Sequence, residues 1–431
     1  MVFIPFIYFT LLTLYLWRKH RGFDVCVYMS SLYAFTSMCA VIVFTGDMLG
    51  DGGILYADND EDLSPAATAV YCLVLTFSMI PFTLIYNKEI KTIKPSSPFV
   101  LELTSWFLIS VSMLNLYLVA DSTLDILQGN LGAVRAAHYD GMLTPAQIKA
   151  EAMPAVFKYL YYFNTSTLLA MPLFFYYLCF EHKPWWFKVL LLFASLSNPI
   201  AGIQAADRTE FTFYVMMFIF CLIFFHRYFS KRIKRWLTIF SIPVLALIIT
   251  YMAAVSIARF DKRDGGAGGS AMQYAGQNYL NFCFFWDNAN SDLVSAEREF
   301  PMFYHVVKHI DSNNERRLSR SGQQGFFISV FPTFIGDLFL DLSLFGMLSW
   351  VIYFFIFSLL IIRRGHKDSY DMGDVIMIFI LSAVPIFGIF YYRYFSFTNT
   401  LMIAMAVMIY ILTKNQIVYK LDEDIRSNSD V

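Results

Sequence analysis

Eleven apolar runs separated by polar connections restrict what this chain can fold into more than any other feature of its sequence. A run of about 20 apolar residues is long enough to cross a bilayer as a helix. The runs lie near residues 2–17, 24–46, 66–87, 99–120, 155–180, 187–205, 209–229, 236–257, 343–362, 373–391 and 397–413. Only 15% of the residues are charged, whereas about a quarter are charged in soluble domains. The sequence therefore predicts an all-α polytopic membrane protein with about 11 transmembrane helices.

The connections between these runs alternate in charge. Basic residues concentrate in every second connection, at 18–21, 88–94, 183–188, 227–235 and 363–367. The positive-inside rule places these connections in the cytoplasm. The intervening connections then face outward, at 47–65, 121–154, 207–208, 257–342 and 391–393. Because the run at 2–17 lacks a basic start and a small-residue cleavage site, we predict a retained helix there rather than a signal peptide.

This alternation divides the chain into four parts. Residues 1–256 hold spans 1–8 with an extracytoplasmic cap at 121–154, residues 257–342 form a large extracytoplasmic loop, residues 343–413 hold spans 9–11, and residues 414–431 form a cytoplasmic tail. The loop closes on FFISVFPTFIGDLFLDLSLFG, an apolar stretch interrupted by Pro332, Gly336, Asp337 and Asp341. Such interruptions predict a re-entrant or interfacial segment rather than an ordinary span.

Four arginines are predicted at the outer membrane boundary, namely Arg208, Arg259, Arg263 and Arg393. The planar guanidinium group suits bidentate binding of a lipid pyrophosphate. Each arginine also has a structural alternative. Arg208 would pair with Asp207 or Glu210 or reach lipid headgroups, Arg259 and Arg263 would mark a solvated helix end, and Arg393 would anchor an aromatic belt. In the functional version, the aromatic neighbours of Arg393 would stack on sugar rings.

The long loop offers three candidates for a general base, His305, Glu297 and Glu299. An imidazole suits this role because it titrates near neutral pH. His305 and His309 would share a helix face, but no further ligands follow at a defined spacing, so no metal site is predicted. Asp337 and Asp341 are also four residues apart, and we predict that they cap their segment or pair with arginine. No cofactor is predicted.

Three of these features resemble the Wzy-type oligosaccharide repeat-unit polymerases of bacterial surface-polysaccharide assembly. They are the Arg-Thr start of the run in AADRTEFTFYV, the long outer loop, and PTFIGDLFLDLSLFGMLSW, which is similar to the family pattern PT-x-x-G-x-x-x-x-D-x-G-x-x-G. The chain departs from the family where Ala205-Ala206-Asp207 replaces small glycine-rich residues, and where Leu342-Ser343 replaces Phe-Gly.

The resemblance implies a C-type glycosyltransferase-like fold in the bacterial inner (cytoplasmic) membrane. The growing chain would leave its undecaprenyl pyrophosphate carrier and join the next lipid-linked repeat unit, without a nucleotide sugar or a metal. Its partners would be the undecaprenyl-pyrophosphate-linked oligosaccharide, membrane lipids and a chain-length regulator, and not nucleic acid. The loop base would activate the acceptor hydroxyl, and the arginines would stabilise the departing pyrophosphate. The alternatives are an O-antigen ligase and a polysaccharide flippase or secondary transporter.

Overall fold

The computed structural model describes most of the chain. The described residues are 1–46, 48–49, 54–55, 62–85, 90, 92–94, 97–128, 134, 143–181, 183–260, 266–290, 293, 295–309, 314–364 and 369–414. Two of the predicted binding residues are not fully described. Arg263 lies outside the described residues, and at Arg259 the description covers the backbone but not the side chain. Residues 415–431 of the predicted tail also lie outside them.

A helix occupies every apolar run. The α-helices are α1 (Phe3–His20), α2 (Val25–Thr45), α3 (Pro65–Met79), α4 (Pro98–Gln128), α5 (Pro145–Glu151), α6 (Ala155–Tyr162), α7 (Ala170–Cys179), α8 (Trp185–Gly202), α9 (Thr209–Phe225), α10 (Lys231–Phe260), α11 (Gly266–Asn288), α12 (Pro301–Val307), α13 (Asn314–Gln324), α14 (Thr333–Arg364), α15 (Met372–Phe387) and α16 (Phe397–Lys414). Short 3-10 helices continue α3 (Ile80–Leu84), α8 (Ile203–Ala205) and α9 (His226–Tyr228), and Phe163–Leu169 joins α6 to α7. Two strands, β1 (Thr92–Lys94) and β2 (Ser369–Asp371), pair in parallel.

Side-chain caps fix where several helices begin. Asp24 accepts hydrogen bonds from the backbone N–H groups of Cys26 and Val27, both at 3.1 Å, and so satisfies two donors at the start of α2. Thr144 and Gln147 form a reciprocal capping box at the start of α5. Helix α5 lies within the stretch 121–154 that the sequence predicts as an extracytoplasmic cap.

The structure is that of an all-α polytopic membrane protein. Among the described residues, six helices are long and apolar enough to cross a membrane, Val25–Thr45, Pro65–Leu84, Pro98–Ala120, Trp185–Ala205, Thr209–Tyr228 and Thr333–Arg363. Two shorter apolar helices are Met372–Phe387 and Phe397–Thr413. The predicted number of eleven spans stays a prediction. The run at 155–180, predicted as one span, is divided by the 3-10 segment between α6 and α7.

The connections between helices gather at two ends of the bundle. At one end, β1 pairs with β2, the Tyr228 hydroxyl donates to the carbonyl of Ile90 over 2.8 Å, and Lys183 bonds Glu102 over 2.8 Å. These contacts join the connections predicted to face the cytoplasm. We call this the inner end.

The opposite end joins the connections predicted to face outward. Leu55 N–H donates to Asn281 over 3.0 Å, Ala146 N–H donates to Gln204 over 2.8 Å, and the Arg298 guanidinium lies 5.2 Å from the ring centre of Phe395. We call this the outer end. The grouping agrees with the alternation of charge in the sequence, while the orientation in a cell stays a prediction.

Helix α11 lies inside the interval 257–342, which the sequence predicts as a loop. It packs along α2 and also contacts α3 and α14. Tyr279, Leu280, Phe282 and Cys283 are buried in the main hydrophobic core. The first part of the interval therefore belongs to the helical bundle, and within the described part of the interval the segments after Asn288 lie outside this helix.

A glycine allows α11 to approach α2 closely. A Cβ atom at Gly276 would lie 2.7 Å from the backbone carbon and oxygen of Cys39. We expect Gly276→Val to destabilise the protein by about 1–3 kcal/mol, because the two backbones must separate. Thermal unfolding in detergent measures the effect. Gly269→Ala in the same helix meets nothing within 4 Å and is the matched control, expected to be stabilising by roughly 0.5–1 kcal/mol. Equal stability of the two variants would contradict the close approach.

Candidate functional site: a buried cluster of arginines and carboxylates

Helix α14 begins with a short buried segment at the outer end. Its backbone is helical except at Ser343, where φ is 62° and the helix breaks. Asp337 and Asp341 lie one turn apart before the break, so they share a helix face. Both carboxylates are buried, at 0% and 1% exposure. The helix runs through Gly336, Asp337 and Asp341, which the sequence predicts as interruptions, and breaks instead at Ser343. The break separates the two aspartates from the apolar helix that follows, and the re-entrant arrangement stays a prediction.

The connection between α15 and α16 fixes the start of α14. Thr333, with φ at 69°, donates its N–H to Phe390 over 3.0 Å, and Phe334 donates to Gly388 over 2.9 Å. These bonds satisfy donors that a helix start leaves without an intrahelical acceptor. The N–H of Tyr392 also donates to Asp337 Oδ2 over 2.8 Å. The same connection therefore holds both the backbone and one side chain of the segment.

Each of the two aspartates pairs with an arginine from the preceding interval. Arg298 bonds Asp337 Oδ1 through its Nη1, and Arg320 in α13 bonds Asp341 Oδ1 over 2.5 Å. The carbonyl of Asp341 also accepts the N–H groups of Ser295 and Ala296. Buried charges require such partners. The prediction that Asp337 and Asp341 pair with arginine is confirmed.

Glu299 is the carboxylate of this region that has no such partner. It is buried, and neither of its carboxylate oxygens has a hydrogen bond from any other residue that the structure describes. Burial and then the negative charge of Asp341 hold the pKa of Glu299 well above its ordinary value of 4.5, against the opposing charge of Arg298. A carboxyl group with a raised pKa holds a proton more tightly than an ordinary one, so its carboxylate form is a stronger base.

The raised pKa of Glu299 makes the stability of the fold depend on pH. Above pH 4.5 the unfolded chain loses this proton, whereas the folded protein retains it until the pH passes the raised pKa. Protonated Glu299 therefore stabilises the fold at low pH, and this contribution is lost as the pH rises through the folded pKa. We expect Glu299→Gln to raise the unfolding temperature above pH 4.5 by an amount that grows with pH, and to change nothing below it. Thermal unfolding of both proteins across this range measures the difference, and a constant difference at every pH would contradict the assignment.

Arg317 brings another positive charge to the same place. Burial and then the positive charge of Arg298 lower the pKa of Arg317 to about 10, although Asp337 and Asp341 oppose the shift. Its Nε is buried without a hydrogen-bond partner among the described residues, as is Nη2 of Arg298. Two guanidinium groups that repel each other and retain unused donors favour an anionic ligand. We call Arg298, Glu299, Arg317, Arg320, Asp337 and Asp341 the acid–arginine cluster.

Arg393, predicted to bind pyrophosphate, has a carboxylate partner of its own. Its Nη1 and Nη2 bond the two oxygens of Glu210 over 2.8 and 2.7 Å, and its guanidinium lies 4.5 Å from the ring centre of Phe213. Asn198 also donates to Glu210 over 2.6 Å. Because this bidentate pair uses both terminal nitrogens, the geometry gives Arg393 the role of joining the start of α9 to the connection that holds α14. Glu210 thus pairs with Arg393, and the partner of Arg208 among Asp207, Glu210 and the lipid headgroups stays a prediction.

Three other predicted site residues have neighbours of their own. Glu297 bonds Arg316, and the ring centre of His305 lies 4.3 Å from that of Phe397 at the start of α16. The Arg208 guanidinium lies 5.1 Å from the ring centre of Tyr274 in α11. Of the three predicted bases, the structure places Glu299 directly beside the buried arginines. The role of each of these residues stays a prediction.

None of the arginines of this cluster is among the binding residues that the sequence predicts. Arg298 lies between the two candidate glutamates, and Arg317 and Arg320 lie three residues apart in ERRLSRSG. Residues at this spacing share one face of a helix. That spacing was a usable signal, although only the fold shows which carboxylates the face meets.

No family model, no curated protein and no solved structure matches the chain. Within the described residues, no group of three or more histidine, cysteine, aspartate or glutamate side chains could hold a metal ion.

Proposed function

We propose that the protein polymerises undecaprenyl-pyrophosphate-linked oligosaccharide repeat units on the outer face of the bacterial cytoplasmic membrane, as Wzy-type polymerases do. The observation that carries the proposal is Glu299, a buried carboxyl group that accepts no hydrogen bond from another described residue, beside Arg298 and Arg317. A base next to guanidinium groups that retain free N–H donors among the described residues is the combination that glycosyl transfer from a pyrophosphate requires. The resemblance of the two sequence motifs to the family supports the same reaction.

In the proposed reaction, Glu299 accepts the proton of a hydroxyl group on the acceptor sugar. The hydroxyl oxygen forms a bond to C1 of the donor sugar, while the bond from C1 to the pyrophosphate oxygen breaks. The electron pair of that bond leaves with the pyrophosphate, where Arg317 and Arg298 stabilise the negative charge. No metal and no nucleotide sugar takes part in this step.

The pairing within the cluster keeps this site in one geometry. Asp337 holds Arg298 and is itself held by the N–H of Tyr392. The Arg393–Glu210 pair fixes the connection that carries Tyr392. We therefore assign Arg393 to positioning rather than to binding the pyrophosphate, and we retain Arg208 as a binding residue.

Deletion of the gene in its own organism tests the proposal. A polymerase deletion is expected to leave surface polysaccharide with a single repeat unit, because the units still reach the outer leaflet but are not joined. Loss of all lipid-linked sugar from the outer leaflet would instead indicate a flippase. Normal chain length with failed attachment to the final acceptor would indicate a ligase.

A further inference from the structure

A row of half-buried aromatic side chains crosses the outer end. Its members are Tyr274 of α11, Phe331 before α14, and Tyr391 and Phe395 between α15 and α16. Successive ring centres lie 5.5 Å apart for Tyr274 and Phe331, 5.7 Å for Phe331 and Tyr391, and 5.5 Å for Tyr391 and Phe395. Three separate segments of the chain therefore supply one continuous aromatic row.

The row has a guanidinium group at each end. Arg208 lies 5.1 Å from the ring centre of Tyr274, and Arg298 lies 5.2 Å from that of Phe395. Arg393 acts electrostatically on Tyr391 near the middle, and the carboxylates of Glu210 and Asp207 act on it in the opposite direction. The row thus connects Arg208 to the acid–arginine cluster, and charged groups accompany it along its length.

These rings differ from the aromatic side chains that face outward on the apolar body of the protein. Phe99 and Phe345 are 75% and 81% exposed, as expected of rings surrounded by lipid. The four rings of the row are partly covered, and they combine apolar faces with nearby charges. Sugars have the matching chemistry, because their C–H groups pack on aromatic faces while their hydroxyl groups bond polar neighbours. Binding sites of this kind are mainly apolar with a few placed polar groups.

We propose that Tyr274, Phe331, Tyr391 and Phe395 bind the oligosaccharide of the acceptor substrate. The non-reducing sugar lies at Glu299, the following sugars pack along the rings, and the pyrophosphate of the acceptor reaches Arg208. The assignment of the non-reducing sugar to Glu299 and of the pyrophosphate to Arg208 rests on the proposed function, whereas the binding of an oligosaccharide to the rings does not. The row accepts an extended chain of sugars rather than a single one, since its rings are spread from Arg208 to Arg298.

Phe331 is the ring to test, because it contacts Tyr274 on one side and Tyr391 on the other. The probe is the repeat-unit oligosaccharide of the producing strain, released from its lipid by mild acid, with binding to the purified protein followed by saturation-transfer NMR. We expect Phe331→Leu to weaken binding roughly tenfold, because it removes a ring but keeps an apolar side chain. Phe331→Tyr retains the ring and is expected to bind as wild type does. Phe77→Leu removes a half-buried ring that packs on Phe355 outside the row, and it is the matched control.

The results separate this site from the proposed reaction. Wild-type affinity in Phe331→Leu, or no binding by the wild-type protein, would overturn the aromatic site. Tyr391→Leu and Phe395→Leu repeat the test at two further rings, so a folding defect in one variant does not decide it. Undecaprenyl pyrophosphate without sugar must bind wild type and Phe331→Leu equally. Ring-dependent binding by a protein that makes no polymer would retain the site and reject the polymerase.

Discussion

Replacing Glu299 by glutamine is expected to lower the rate of repeat-unit joining by about 100-fold or more, the usual contribution of a general base. Glutamine has nearly the same shape but cannot accept the proton of the acceptor hydroxyl. The protein is expected to stay folded, because Glu299 has no bond to another described residue that the change would break. The rate of appearance of longer products from lipid-linked repeat units measures the effect.

Glu297→Gln is the matched control for this change. Glu297 lies two residues away and is also buried, but Arg316 occupies one of its oxygens. We expect the control to retain most of the activity. If the two variants lost activity equally, Glu299 would have no special role, and a fully active Glu299→Gln would remove the proposed base altogether.

Replacing Asp337 by alanine is expected to destabilise the protein by about 3–5 kcal/mol, because it leaves the buried charge of Arg298 without its partner. It also removes the acceptor of the Tyr392 N–H, which then has no bond in a buried place. The double variant Arg298→Met, Asp337→Leu removes both charges, and we expect it to recover much of the loss. Thermal unfolding of the purified variants measures the stability.

Glu102→Gln provides the exposed counterpart. Glu102 pairs with Lys183 at the inner end, and its side chain is 45% exposed, so the loss should be at most about 1 kcal/mol. A loss for Asp337→Ala no larger than that of Glu102→Gln would show that the Arg298–Asp337 pair is not a stabilising contact. If the double variant did not recover stability, the loss would come from the missing hydrogen bond to the Tyr392 N–H rather than from the unpaired charge of Arg298.

The helices outside the long interval could be predicted because their signal is local. Length and apolar character place a helix in each run, and these properties do not depend on the rest of the fold. Helix α11 is long enough for a membrane span, but it buries the polar side chains of Gln273 and Asn281. These amides form hydrogen bonds with the backbone of Met48 and Leu55 in another connection. These amides make the segment look water-facing in the sequence. Only the tertiary contacts show that their polar groups are satisfied inside the bundle.

The candidate site was predictable as a set of residue types but not as an arrangement. Glu299 was among the proposed bases, and the pairing of Asp337 with arginine follows from the need to neutralise a buried carboxylate. Which arginine it meets depends on a contact between residues 39 apart in sequence, and the Arg393–Glu210 pair joins residues 183 apart. No local pattern reports such contacts. This is why the sequence assigned Arg393 to the substrate, whereas the structure gives it to Glu210.

We expect this protein to join lipid-linked repeat units by itself. Purified protein in detergent or lipid discs, incubated with undecaprenyl-pyrophosphate-linked repeat units and no nucleotide sugar or metal, is expected to produce a ladder of longer lipid-linked chains. The Glu299→Gln protein, folded to the same extent, is expected to leave the single unit unchanged. The absence of a ladder from folded wild-type protein, under conditions in which a known polymerase forms one, would contradict the account.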